Sequence, residues 1–110
     1  MTDAPRVPAP ATAAEAVAAA ILAHPAVARL AGGPFGTVAS YLPGRRRLVG
    51  VRVGSAGGPT EIAVVARFGI PGISLPALAG ELGVLVRAVL GPVPVEITFA
   101  DVVVDAADPG

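Results

Sequence analysis

The sequence predicts an α+β domain, with two helices packed on one face of a small, mostly antiparallel sheet of three or four strands, in the order α-β-β-β-α-β. Three observations carry this. Apolar residues recur at helical spacing in 13–23 and 75–89; they alternate with period two in 46–53, 61–68 and 93–99; and Gly- or Pro-bearing segments separate the runs.

The chain opens with "MTDAPRVPAPA", residues 1–11, a Pro/Ala-rich stretch with no apolar period, which predicts a flexible tail ahead of a single domain over 12–105. Thr12 and Glu15 stand at capping-box spacing, so a helix is expected from about residue 13 until Pro25 disfavours helical geometry at His24. "AVARL" is a short strand candidate. "TVASYL" and "RLVGVRV" are two β-rich runs joined by a turn at Pro43-Gly44, and the second run sets Leu48, Gly50 and Arg52 against Val49, Val51 and Val53. "EIAVVARFG" follows, with Ile62, Val64, Ala66 and Phe68 on one side and Glu61, Ala63, Val65 and Arg67 on the other, and it is expected to pair with the preceding run as an antiparallel hairpin.

Ser74 is a good helix N-cap and Pro76 is tolerated in a first turn. Leu75, Leu78, Leu82, Leu85, Val86 and Val89 then define a second amphipathic helix, ended by Gly91-Pro92. The last run places Val93, Val95, Ile97 and Phe99 opposite Pro94, Glu96, Thr98 and Ala100, and Pro94 marks an edge position or a strand start. Residues 106–110 are expected to fray.

Composition limits the chemistry. At 110 residues one modest core is expected, and because aromatics make up only 4% of the chain that core must be assembled from Val, Leu, Ile and Ala. Eight arginines balance eight acidic residues, with no lysine, so no net field draws the whole molecule to nucleic acid or an anionic membrane. Zero cysteines exclude disulfides, thiolate catalysis and cysteine metal sites, while leaving the redox compartment open. Glu15 interrupts the only stretch resembling a signal sequence, and no run reaches the roughly 20 apolar residues that cross a bilayer, so a cytoplasmic protein without direct membrane insertion is expected.

No catalytic or cofactor-binding constellation appears. His24 is the only histidine and is expected to close a helix, where a cation is favoured by the helix dipole. Glu61, Glu96 and Asp101 fall on strand faces expected to meet water, and Ser40, Ser55 and Ser74 have no base beside them. Two G-x-x-G tetrads, 33–36 and 69–72, have apolar middles and do not lie between helices, unlike the backbone-clamping loop of KH domains, so turn geometry is their expected role. The remaining feature is the Arg45-Arg46-Arg47 triplet, with Arg52 nearby. Strand alternation allows at most two of the three to share a face, so the cluster is read as a hairpin corner and a candidate protein contact.

The order of these pieces resembles the actinobacterial branch of the alkaline-shock-protein family of bacterial envelope stress proteins, over about residues 13–104. The resemblance rests on "PAVARL", "YLPGRR" followed by "GVRV", "VVARFG" before the second helix, and the closing "VEITFADVVV". It implies a non-enzymatic scaffold, linked to cell-wall or alkaline stress, that forms homo-oligomers and docks on a small membrane-anchor protein at the inner face of the cell membrane. It implies no catalytic, metal or cofactor residues. The alternative reading is a KH-like nucleic-acid or anion-binding module that uses Arg45, Arg46, Arg47 and Arg52.

Overall fold

A computed structural model describes residues 10–33, 38–54, 57–68 and 74–104. In chain order the elements are α1 (Pro10–Leu22), β1 (Val27–Leu30), β2 (Ala39–Leu42), a 3-10 turn (Pro43–Arg45), β3 (Arg46–Val49), β4 (Val51–Arg52), β5 (Thr60–Phe68), α2 (Leu75–Leu90) and β6 (Val95–Val104). The expected α+β class holds. The main sheet contains β1, β4, β5 and β6, while β2 and β3 form a separate antiparallel ribbon.

β5 is the hub. One of its sides carries β4 and β1 in tandem, both antiparallel: Val51 is opposite Ile62, and Leu30 opposite Val64. The two strands meet at Ala63, whose N–H donates to the Gly50 carbonyl at 3.0 Å and whose carbonyl accepts from the Ala31 N–H at 2.8 Å. The other side of β5 pairs with β6 along its whole length, in parallel register from Thr60↔Val95 to Phe68↔Val104. A parallel pair needs a crossover, and α2 supplies it.

Both helices lie on one face of this sheet. Val17 and Ile21 from α1, Leu78, Leu82 and Val86 from α2, and Ile62, Val64 and Ala66 from β5 form one buried cluster, with Val95, Ile97 and Phe99 of β6 packed against it. Burying each leucine or isoleucine contributes about 1.5–3 kcal/mol. An exposed ion pair contributes about 0.2–1 kcal/mol, so the apolar cluster and not charge pairing holds the fold.

α2 begins as its sequence implies, with the Ser74 Oγ accepting from the Ala77 N–H at 3.2 Å. α1 does not. It starts at Pro10, inside the expected tail, so Thr12 lies within the first turn instead of capping it. Proline suits the first helical position, where its missing N–H has no partner to lose, and the alanines that follow propagate the helix. Residues 1–9 and 105–110, which contain the rest of the expected tail and the expected frayed end, lie outside the described residues.

The run 46–53 also differs from its expected single strand. Gly50, at φ +97°, divides it between the ribbon and the main sheet. Val49 and Val51 were expected on one side; Val49 is 38% exposed and Val51 fully buried. The positive φ redirects the chain between them, a conformation that costs a side-chain-bearing residue free energy. The position is also crowded: a Cβ on Gly50 would lie 2.5 Å from Leu30 Cβ and 3.1 Å from both Ala31 N and Ala63 O.

Candidate interaction surfaces

The arginines singled out by the sequence do not converge. In the β2–β3 ribbon Leu42 is opposite Arg46 and Tyr41 opposite Arg47, so the two arginines lie on opposite ribbon faces, as alternation requires. Arg46 turns toward the body of the protein, its Nε donating to the Pro43 carbonyl at 3.3 Å and its Nη1 lying 3.9 Å from Glu15 Oε2 on α1. Both side chains are at least half exposed, so this contact is weak and readily exchanged. Arg47 shares its face with Tyr41, which is 81% exposed. The Arg45 side chain lies outside the described part of the molecule.

Arg52 stands apart from the triplet, on β4, where it pairs with Glu61. A shallow depression of about 260 Å³ surrounds this pair, lined by Arg52, Val53, Gly54, Gly58, Pro59 and Glu61. Its two charges satisfy each other. Glu61 is in turn next to Glu96 on β6, so the row across the sheet reads Arg52, Glu61, Glu96 and carries one more acid than base.

His24 lies just beyond α1 and ties the two helices together. Its Nε2 is 2.8 Å from Glu81 Oε1 on α2, and its Nδ1 accepts from the Ala26 N–H at 3.0 Å. Both ring nitrogens are thereby used in positioning the turn into β1. Ser40 likewise has a structural partner, its Oγ donating to the Val51 carbonyl at 2.6 Å. Ser55 and the tetrad 69–72 lie outside the described residues, and of the tetrad 33–36 only Gly33 is described, at φ +78°. Among the described residues no three His, Asp or Glu gather as a metal site, and no buried side-chain nitrogen or oxygen lacks a hydrogen bond.

The edge position or strand start read from Pro94 fits β6, which begins one residue later and, among the described residues, pairs on one side only. It runs for ten residues. A bulge at Ala100 shifts the register, from Val64↔Phe99 to Val65↔Asp101, and brings Asp101 onto the sheet face shared by Glu96 and Thr98. Asp101 Oδ1 then accepts the Val102 N–H at 2.8 Å, occupying a main-chain donor. The segment Val95–Phe99 keeps its outward main-chain groups free of such a cap among the described residues. A further signal was the charge pattern of "VEITFADVVV", in which both charged residues are acidic.

No described helix is long and apolar enough to cross a membrane. Comparison of the chain with protein-family models, with curated proteins and with solved structures finds no match in any of the three.

Proposed function

We propose that this protein is a non-enzymatic scaffold of the alkaline-shock type, which self-associates and docks on a membrane-anchored partner from the cytoplasmic side. The observation that carries the reading is the outer edge of β6, which no strand among the described residues pairs, a ten-residue strand offering main-chain donors and acceptors to another polypeptide. The projecting β2–β3 ribbon adds a second surface, with Tyr41 and Arg47 exposed on one side. The sequence resemblance to envelope stress proteins supports the cellular setting and the anchored partner.

Two measurements test this reading. Sedimentation of the purified chain over a wide concentration range is expected to show reversible association; a monomer throughout would remove the self-association. Cell fractionation with and without the anchor is expected to move the protein from the membrane to the supernatant. Recovery in the supernatant under both conditions would remove the docking.

The Tyr41–Arg47 pair supports a second reading, binding of single-stranded nucleic acid by stacking and phosphate contact. An anisotropy titration with a labelled oligonucleotide decides it. Three phosphate contacts on a single strand predict a roughly 20-fold loss of affinity between about 50 and 200 mM salt, and no binding at the lower salt would exclude it.

A further inference from the structure

The open strand and the ribbon differ in the sign of their own charges, while the strands beside β6 place Arg29, Arg52 and Arg67 on the same sheet face. Glu96 and Asp101 lie on one face of the open strand β6, with no basic residue in that strand. The ribbon carries Arg46 and Arg47 and has no acidic residue in β2, β3 or the turn between them. From this complementarity we propose that the occupant of the β6 edge is the β2–β3 ribbon of a second copy of this chain, joined head to tail. The inference rests on the self-association proposed above and specifies its interface.

The cross-sheet row gives the electrostatic reason. Glu61 and Glu96 are adjacent across the β5–β6 pair, and like charges in that position repel. Arg52 neutralises Glu61 from the β4 side, leaving Glu96 on the open side without an ion pair among the described residues. An arginine arriving beside Glu96 completes the row as base, acid, acid, base. The four-residue β3 fits within the five residues Val95–Phe99, and the bulge and the Asp101 cap end the pairing beyond them. The 3.9 Å contact of Arg46 with Glu15 is exposed and exchanges for an intermolecular partner at little cost.

Symmetric pairing of β6 with β6 is disfavoured by the same charges. It would bring four carboxylates to one seam with no cation in either strand. A ribbon-to-edge contact is heterologous, so every open assembly keeps one free ribbon at one end and one free edge at the other, and it propagates unless it closes into a ring.

Charge reversal with mixing tests this. One variant carries Arg46→Glu and Arg47→Glu, the other Glu96→Arg, and each is first checked for the wild-type circular dichroism spectrum and melting profile. Each variant alone is expected to associate at least about tenfold more weakly than wild type, because like charges then face each other. An equimolar mixture is expected to recover assembly with strict alternation, since both new contacts pair opposite charges, and this recovery also demonstrates that both variants are folded. Wild-type association is expected to weaken as salt rises from about 50 to 500 mM. If both variants assemble like wild type, this interface is wrong while self-association stands. Assembly of the ribbon variant but not the edge variant would instead assign the β6 edge to another occupant, and a wild type that remains monomeric would overturn both readings.

Discussion

The two edges of the main sheet are built in opposite ways. On one side of β5 the edge is broken into β1 and β4, of four and two residues, tied to Val38 through the Gly32 carbonyl and the Gly50 N–H and closed by the Ser40 hydroxyl on the Val51 carbonyl. On the other side β6 runs unbroken for ten residues, and among the described residues its protection consists of one bulge and one carboxylate cap near its C-terminal end. Short, covered edges prevent strand addition, whereas a long open strand invites it. Within one small sheet, one side is closed by design of the backbone and the other remains available for a partner.

The sharpest way to break this asymmetry is at Gly50. Gly50→Ala places a Cβ against Leu30, Ala31 and Ala63 at a positive φ. Backbone strain and overpacking together are expected to cost about 4 kcal/mol, enough to threaten folding. A urea titration followed by circular dichroism measures it, and a loss under about 1 kcal/mol would show that the junction is not rigid.

A smaller effect is expected from Ser40→Ala, which removes the 2.6 Å bond to Val51 from the closed edge. The cost is about 1 kcal/mol, because the carbonyl it leaves is part-buried. Unchanged stability would indicate that the hydroxyl contributes nothing to closing that edge. Least costly to the fold is Asp101→Ala, expected to alter stability by no more than about 0.5 kcal/mol, since the group is exposed. Its effect should appear in hydrogen exchange, as faster exchange of the Val102 amide. Slower exchange at Val102 would mean that the carboxylate does not protect that donor.

The parts of the molecule legible in the sequence were those governed by local chemistry. Ser74 capped α2 as its side chain predicts, and the alternation of Val95, Ile97 and Phe99 against Glu96 and Thr98 identified the buried side of β6. Positions set by distant partners were not legible. Glu15 has capping-box spacing from Thr12 but reaches Arg46 across the fold, and Val49 and Val51 look equivalent until a positive φ at Gly50 separates them. Of the predicted patch, Arg46 and Arg47 remain on the ribbon while Arg52 belongs to a different sheet and pairs with Glu61. The edge was signalled only by Pro94 just ahead of β6, because a strand's neighbours on each side are a property of topology and alternation reports only which side chains face inward.

The parallel pairing of β5 with β6 also sets an order of events during synthesis. Thr60 cannot find Val95, nor Phe68 find Val104, until α2 and β6 have been made. A chain still attached to the ribosome can close β5 against β1 and β4, whose residues are already made, but its opposite side must wait. The strand that completes the nascent fold is therefore the same strand that, once docked, presents a new open edge to whatever binds next.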